Sequence, residues 1–414
     1  MMSKDIEILR KLANELAEIA AQPQQQETKR LWKKLNALIP ERPMYTIDQI
    51  CWHEMNVDDA LTLQCEDSFY RELETNLRRL LYRNKYLKDD YVYEAAIYIP
   101  TTVRGFNSGL EVQEDTLILT ADKEAIRSHH FYDQLKTEAD LEKLQVPDFW
   151  IDKEMTNKQK EMAQEAVGDI LEVIMDGVEF SFGVWDRLVE WRGFDNLLED
   201  ITYDTDFILQ TVEKATDVHL RILDRMEEMN LLPKRPQRIH CSGAFTDELP
   251  QTPDADPMHP RAADSWTFGL AQILYLVSPK MHNELEFEFA KKWFSRFGLG
   301  YYGCCEPLDD RLSYVKQIPN VRKISCSPWV KNYERFAEEL EGKYVMSHKP
   351  APALLVDGQY NPDRIRSNMQ ILLDASNKYN CPCEFLLKDL STINGKPARI
   401  FEWSRMADEM LRKS

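Results

Sequence analysis

The sequence predicts an α/β protein, a (β/α)8 TIM barrel with an N-terminal helical extension. In the second half of the chain, short apolar runs alternate with amphipathic segments, with roughly 25 to 30 residues per strand and helix together. This alternation is typical of parallel strands joined by helical crossovers. A doubly wound open sheet would alternate in the same way, but neither a Gly-x-Gly-x-x-Gly string nor a P-loop follows a predicted strand. We therefore favour the barrel.

The N-terminal segment predicts a helical arm, residues 1–44, ahead of a barrel domain, residues 45–414. Ser3 is a favourable N-cap for a first helix whose Leu and Ile residues recur at helical spacing. A second amphipathic helix is predicted around Leu35, and we expect the polar run of residues 22–26 to separate the two helices.

The elements that follow are predicted from hydrophobic periodicity and turn residues. In the first half of the barrel domain they are a strand from residue 45, a helix within 61–86, strands within 91–103, helices at 156–177 and 206–229, and a short strand at 238–241. In the second half they are a helix that begins after Ser278 and ends at 298, strands at 299–303, 321–326, 344–347 and 383–387, and helices near 309–316, 332–340 and 362–375.

Composition excludes several classes of function. The formal net charge of the 414 residues is -18, spread along the whole chain, which opposes binding to nucleic acid or to an anionic membrane. No stretch approaches the roughly 20 apolar residues of a membrane helix, and residues 1–19 lack a signal-peptide core. Eight cysteines are too few for a disulfide scaffold in a chain of this length. We expect a cytoplasmic protein with free thiols.

Soft and borderline metal ligands recur at the ends of three successive predicted strands. Cys304 and Cys305 follow the first of these strands, Cys326 ends the second, and His348 follows the third. Barrel enzymes carry their chemistry at the carboxyl ends of the strands, and a catalytic zinc typically takes three protein ligands and keeps a fourth position open. The pattern predicts a zinc site formed by Cys304 or Cys305 together with Cys326 and His348, because two adjacent thiols do not both ligate one ion comfortably. The simpler alternative is that some of the thiols pack in the core, as free cysteines often do.

Further polar groups gather near other strand ends. Asp48, Trp52, His53 and Glu54 lie beside the first strand, where they are expected either to form one wall of a pocket or to satisfy buried backbone groups. Glu306 follows the thiol pair closely enough to act in the same site.

Two other groups of ligand types have weaker patterns. His240 and Cys241 come at the end of a short predicted strand, although one His-Cys step arises easily by chance. Cys381 and Cys383 precede an apolar strand, and core packing explains them.

Several strings resemble one family, the uroporphyrinogen decarboxylase superfamily, and within it a long uroporphyrinogen decarboxylase-like branch related to corrinoid-dependent methyltransferases. The strings are Arg42-Pro43, Ile47-Asp48-Gln49-Ile50-Cys51-Trp52-His53-Glu54-Met55, Tyr302-Gly303-Cys304-Cys305-Glu306-Pro307-Leu308, Ser327-Pro328-Trp329 and Lys349-Pro350-Ala351-Pro352. The resemblance spans most of the chain and implies the same barrel.

The resemblance favours one branch of chemistry over another. The decarboxylases hold their substrate's carboxylates with an early Arg-Gln-Ala-Gly-Arg string, whereas this chain has Asp48-Gln49-Ile50-Cys51-Trp52 in its place. The methyltransferases bind zinc with a His-x-Cys pair and a second cysteine. In this chain Tyr302 replaces the histidine of the pair, and His348 lies near the position of the second cysteine.

The resemblance therefore implies a zinc-dependent methyltransferase that moves a methyl group between a small substrate and a corrinoid cofactor or corrinoid protein. In this hypothesis Glu306 or His53 acts as acid or base and Tyr302 donates a hydrogen bond to the substrate. Asp48, Trp52 and Glu54 would contact the cofactor. Two alternatives stay open: a uroporphyrinogen decarboxylase-like lyase for a different carboxylated substrate, and a non-catalytic protein that binds a corrinoid or tetrapyrrole.

Overall fold

The computed structural model describes residues 3–117, 128–235 and 237–412, and a parallel sheet lies at its centre. In chain order the parallel strands are β1 (Met44–Ile47), β2 (Ala96–Pro100), β3 (Glu172–Asp176), β4 (Trp266–Gly269), β5 (Leu299–Tyr302), β6 (Val321–Cys326), β7 (Val345–His348) and β8 (Cys383–Leu387). Six of them pair in the order β1-β8-β7-β6-β5-β4, while β2 pairs with β3 alone. A parallel bridge between Phe182 and Gly269 reaches β4 from the segment after β3. The prediction of a parallel α/β fold is confirmed as a half-barrel, and the described strands do not close into a ring.

Side chains occupy the outer edge of β1, where a closed barrel would pair β1 with β2. The carboxylate of Asp90 accepts a hydrogen bond from the Tyr45 amide at 3.0 Å, and that of Asp89 accepts one from the Ile47 amide at 3.2 Å. The guanidinium of Arg83 donates to the Ile47 carbonyl at 2.6 Å. These contacts satisfy the backbone groups of the edge without another strand.

Helices pack around the sheet. The α-helices of the described chain are Lys4–Ala20, Pro23–Asn36, Ser68–Tyr86, Lys153–Val167, Val184–Arg192, Phe194–Tyr203, Thr205–Glu228, Pro279–His282, Glu288–Phe294, Leu312–Val315, Tyr333–Leu340, Ala353–Val356, Pro362–Lys378 and Ala398–Leu411. A π-helical turn, Asn283–Phe287, joins two of them. Two-stranded antiparallel pairs join Val103–Arg104 to Trp150–Ile151, Glu114–Leu117 to Ser128–Phe131, and Arg238–Ile239 to Ser242–Gly243. No helix in the described part of the chain combines the length and apolarity needed to cross a membrane.

Two predicted boundaries are wrong for identifiable reasons. The second helix begins at Pro23, so most of the polar run 22–26 forms its first turn and not a linker. Proline is favourable at this position because its missing amide donor has no helical partner there. The helix predicted for 156–177 ends at Val167 and is followed by strand β3, because the apolar residues of that strand happen to continue the helical spacing.

A fully buried ion pair lies inside the half-barrel. The Lys323 ammonium of β6 is 3.0 Å from the Glu384 carboxylate of β8, and neither side chain is exposed. Lys323 also donates to the Ser242 hydroxyl and the Gly243 carbonyl, at 2.5 and 3.2 Å. The indole rings of Trp32 and Trp266 also lie near the Lys323 ammonium, with centroids 5.2 and 5.8 Å from its nitrogen.

We expect Lys323→Met to lower the free energy of unfolding by about 3–5 kcal/mol, because the Glu384 carboxylate would stay buried without its partner. Adding Glu384→Leu to that variant should recover part of the loss. Urea denaturation measures both effects. Lys378→Met removes a pair with Glu334 whose side chains are 54% and 57% exposed, and it serves as the control. An equally small loss in Lys323→Met and in this control would contradict the prediction.

Candidate functional site

Two thiols and two lysines meet at the carboxyl ends of strands β5, β7 and β8. Cys304 and Cys305 follow β5, and their sulfur atoms are 3.6 Å apart. Lys388 follows β8, and its ammonium nitrogen is 3.3 Å from the Cys304 sulfur. Lys349 follows β7 and is buried beneath the thiols. Parallel strands bring their carboxyl ends to one edge of the sheet, so residues far apart in sequence gather there.

The backbone that carries Cys304 is held from below. The Lys349 ammonium donates to the Ser325 hydroxyl and the Cys304 carbonyl, both at 2.8 Å, and to the Gly303 carbonyl at 3.3 Å. Gly303 has a φ of 92°, a left-handed conformation that favours glycine. The Glu306 carboxylate accepts a hydrogen bond from the Cys304 amide at 2.9 Å. These contacts fix the position of the Cys304 backbone, from which its side chain extends.

The surroundings of Cys304 favour its thiolate. The hydrogen bond from Cys305 is the main cause, and the charges of Lys349 and Lys388 add to it, so that the pKa of Cys304 falls to about 6 in spite of burial. The same contact raises the pKa of Cys305, which therefore stays the protonated partner. Near neutral pH, the pair holds one negative charge on Cys304. A thiolate is the nucleophilic and metal-binding form of cysteine.

An acidic group near the thiolate titrates close to neutrality. Asp186, on helix Val184–Arg192, has a pKa raised to about 6 by burial and then by the negative charges of Glu306 and Cys304. A carboxyl group with such a pKa is suited to carry a proton during a reaction.

A cavity of about 470 Å³ has His240 and Cys241 in its wall, and the charges of Lys349 and Lys388 act on both residues. Its lining includes Asp48, Tyr98, Arg238, His240 and Cys241. Burial and the charges of Lys349 and Lys388 hold the pKa of His240 well below its usual value, so the cavity and the lysines share one electrostatic environment. The volume is in the range of small-molecule sites.

The predicted zinc ligands do not meet at one point. Cys326 and His348 are register partners on β6 and β7, one residue beyond Ser325 and Ser347. Successive side chains of a strand point to opposite faces. Ser325 faces Lys349 inside the half-barrel, whereas the His348 ring packs against Tyr333 of an outer helix. Cys326 likewise belongs to the core beneath the helices.

Within residues 3–117, 128–235 and 237–412, no group of three or more His, Cys, Asp and Glu side chains is arranged to hold a metal ion. Cys304 and Cys305 are the two predicted ligands that lie together. This donor set does not fit a zinc ion with three protein ligands.

The predicted catalytic residues have different surroundings. Glu306 lies beside Cys304, as expected, although its contact there is to the backbone amide. Tyr302 is fully buried on the outer face of β5, where its hydroxyl donates to Glu286 at 2.6 Å, so it is engaged by the protein and not by the cavity. His53 lies on the 3-10 turn Trp52–Glu54, with its Nε2 atom 3.5 Å from a Glu54 oxygen.

The residues predicted to contact the cofactor make unrelated contacts within the protein. Asp48 lines the cavity and pairs with Arg238. Trp52 packs edge-on against Tyr82, with ring centroids 5.8 Å apart. Glu54 accepts hydrogen bonds from the Ile393 and Gly395 amides, at 3.0 and 2.6 Å, and so fastens the loop after β8.

Sequence reasoning did not select Lys349, Lys388 or Asp186. The two lysines each follow a strand directly, and that position was the available signal, although lysine is usually a surface residue. Nothing in the sequence around Asp186 distinguishes it from other helix carboxylates, because its pKa depends on residues far away in the chain.

A parallel half-barrel with reactive groups at the carboxyl ends of its strands belongs to a class of folds that hosts many enzymes. Among solved structures, the chain superposes on a methyltransferase from Methanosarcina mazei with a TM-score of 0.54 and 13% sequence identity, over 92% of this chain and 98% of the other. At this identity the likeness shows a shared fold. No family model matches the chain, and no curated protein matches it. The resemblance to the uroporphyrinogen decarboxylase superfamily stays a prediction.

We expect Lys388→Met to raise the pKa of Cys304 by about one unit, because the variant loses the ammonium next to the sulfur. The rate of iodoacetamide alkylation against pH, followed at the peptide that carries Cys304, measures this pKa. Cys383 is the internal control, because burial raises its pKa to about 12 and alkylation should be slow in both proteins. An unchanged profile for Cys304 would show that Lys388 does not stabilise the thiolate.

A second prediction concerns Glu286, the partner of Tyr302. Burial raises the pKa of Glu286 to about 8, against the opposing effect of the Tyr302 hydrogen bond. A carboxyl group whose pKa is raised on folding contributes stability below its unfolded pKa of about 4.3, and that contribution is lost as the pH rises toward its folded pKa. Glu286→Gln has no such ionisation. As the pH rises from 5 to 8, the free energy of unfolding of the variant should therefore increase relative to that of wild type, by up to about 1.4 kcal/mol per pH unit.

Chemical denaturation at a series of pH values measures this difference. Glu288→Gln is a suitable control, because Glu288 is an exposed carboxylate two residues further along the chain whose pKa is lowered by Lys291. A constant difference between Glu286→Gln and wild type would contradict the prediction.

Proposed function

We propose that this chain is a methyltransferase whose reaction centre is the Cys304 thiolate at the mouth of the half-barrel. The observation that carries the proposal is the contact between Cys304 and Lys388, 3.3 Å from sulfur to nitrogen. The fold shared with a methyltransferase over nearly the full length of both chains supports it.

The chemistry follows from the charge on Cys304. The Cys304 thiolate attacks the methyl carbon of the donor, and the donor leaves with the electron pair of its bond to methyl. The acceptor then attacks the same carbon, and the thiolate leaves. Lys388 stabilises the negative charge on sulfur before the first step and after the second, while Lys349 and Glu306 hold the backbone of Cys304. Asp186, whose pKa is raised to about 6, takes or returns the proton of an acceptor thiol or amine in this proposal.

The small substrate is proposed to occupy the cavity whose wall includes His240 and Cys241. A corrinoid, which the resemblance implies as methyl carrier, is larger than about 470 Å³, so the cavity residues do not fit an enclosed corrin ring. A corrinoid cofactor or corrinoid protein would have to approach from the open side of the mouth. Zinc bound by Cys304 or Cys305 stays a prediction, and the chemistry above is derived without it.

The two alternative functions have less support. A lyase for a substrate with several carboxylates needs a surplus of positive charge, but the cavity opposes Lys234, Arg235 and Arg238 with acidic groups such as Asp176 and Glu179. A non-catalytic protein that only binds a corrinoid or tetrapyrrole has no need of the Cys304 thiolate that Lys388 stabilises.

We expect the purified protein to transfer a methyl group between methylcobalamin and a small thiol or amine, and Cys304→Ala to slow this reaction on the order of a hundredfold. The reaction is followed by the change in the cobalamin spectrum under anaerobic conditions. Cys381→Ala is the matched control, because Cys381 is a buried thiol far from the mouth with a carbonyl partner in its own segment. Equal rates for Cys304→Ala and wild type would refute the proposed centre.

Zinc analysis of the same proteins belongs to this experiment. Near-stoichiometric zinc in wild type that is lost in Cys304→Ala would add a metal to the centre. Transfer by a wild-type protein without zinc would place the chemistry on the thiolate alone.

A further inference from the structure

The antiparallel hairpin of Arg238–Ile239 and Ser242–Gly243 carries an unusual pair of residues at its tip. His240 and Cys241 both adopt left-handed backbone conformations, with φ values of 42° and 70°. A two-residue hairpin turn of this kind requires a positive φ at both central positions, where Asn and Gly are usual, so His followed by Cys is an uncommon choice. The Thr46 hydroxyl of β1 donates to the Cys241 carbonyl at 2.6 Å, which fixes the tip.

The turn places the His240 ring between aromatic side chains. The ring stacks on Phe268 of β4, with centroids 3.8 Å apart and planes 9° apart. Tyr301 of β5 meets it edge-on, with centroids 5.1 Å apart. The stack fixes the plane of the imidazole, so its nitrogens cannot turn to seek other partners.

The Nε2 atom of His240 is buried and has no hydrogen-bond partner among the described residues. Buried polar atoms in proteins are nearly always paired, and an exception needs an explanation. His240 is one of the residues that line the cavity of about 470 Å³, and it lies within reach of the charges of Lys349 and Lys388. A polar group of a bound molecule would satisfy this nitrogen.

The charges that face the ring come from the neighbouring strand ends. Lys349 and Lys388 both disfavour the charged form of His240, and burial acts in the same direction. The imidazole is therefore neutral across the usual working range of pH, and it can offer a hydrogen bond without carrying charge.

We propose that His240 is a substrate-contacting residue whose Nε2 atom hydrogen-bonds a polar group of a small molecule held in this cavity. The lining also includes the Arg238–Asp48 pair and Lys234, so the occupant is a small polar molecule with further hydrogen-bonding groups. The inference rests on the proposed function for the reaction that the substrate undergoes, but not for the binding itself.

Two substitutions separate the hydrogen bond from the packing. His240→Phe keeps a flat ring against Phe268 and removes both nitrogens. His240→Gln restores a hydrogen-bonding group without the ring. If His240 only fills space, the His240→Phe variant should bind the ligand normally. If His240 contacts the ligand, the His240→Gln variant should retain part of the binding.

The first test uses crystals soaked with a library of small polar fragments, because it does not depend on any reaction. We expect fragments in this cavity to place an oxygen or nitrogen within hydrogen-bond distance of His240 Nε2, and we expect His240→Phe crystals to lose those fragments. Fragments that occupy the cavity without touching Nε2, or an empty cavity throughout the library, would overturn the inference. Thermal melting of both variants checks that they fold.

The second test uses methyl transfer from methylcobalamin. His240→Phe should raise KM about tenfold to a hundredfold at an unchanged melting temperature, and His240→Gln should recover part of this loss. An unchanged KM in His240→Phe would overturn the contact. If wild type transfers no methyl group, the proposed function fails, and the soaked crystals still decide whether His240 contacts a ligand.

Discussion

The buried ammonium of Lys349 is the interaction on which the candidate site depends. It follows β7 and donates to groups carried by β5 and β6, so a single charge joins the carboxyl ends of three strands. The carbonyls of Gly303 and Cys304 point down toward this ammonium, and the Cys304 amide binds Glu306. The thiol is thereby directed toward the mouth. Burial lowers the pKa of Lys349, while the negative charge on Cys304 opposes that effect, so the lysine and the thiolate support each other's charged forms.

Polar groups form successive layers along the interior of the half-barrel. Near the base, Lys323 pairs with Glu384. Above this pair, the Tyr301 hydroxyl donates to Ser347 at 2.7 Å. The lysines and thiols complete the series at the mouth. A chain with a net charge of -18 thus keeps cations inside, where each has an acceptor or an anion within reach, and places much of its negative charge outside.

Local patterns predicted part of this architecture. Strands β6 and β8 have the predicted bounds, although charged residues interrupt their apolar pattern at Arg322 and Lys323 in β6 and at Glu384 in β8. Strand β4 was not predicted, because Trp266–Gly269 is short and ends in glycine. The break between β1 and β2 was also beyond prediction, since it depends on side chains such as Asp89 and Asp90 that occupy the strand edge in three dimensions.

The candidate site was predicted in location and only partly in composition. Cys304 and Cys305 lie at the mouth as expected, because residues that directly follow a strand of the parallel sheet lie at its carboxyl edge. The face of a residue on a strand buried on both sides cannot be read from hydrophobicity, since every residue of β7 is buried. His348 was therefore assigned to the wrong face of the sheet for a ligand of the same ion as Cys304, and Lys349, one residue later, lies beneath the thiols.

The position of Lys388 bears on how any cation would enter the site. Its ammonium lies 3.3 Å from the Cys304 sulfur and 3.1 Å from an Asp389 oxygen. Cys305 in turn lies 3.6 Å from the same Asp389 oxygen. A positive charge thus already occupies the space between the anionic groups at the mouth, and a metal ion drawn to Cys304 must compete with a tethered ammonium. The competition also works in reverse, because any positively charged group that a substrate brings to Cys304 weakens the hold of Lys388 on the thiolate. The Cys304 thiolate is therefore stabilised by Lys388 and by any cation that binds beside it. The reactivity of the thiolate depends on how far that cation displaces Lys388.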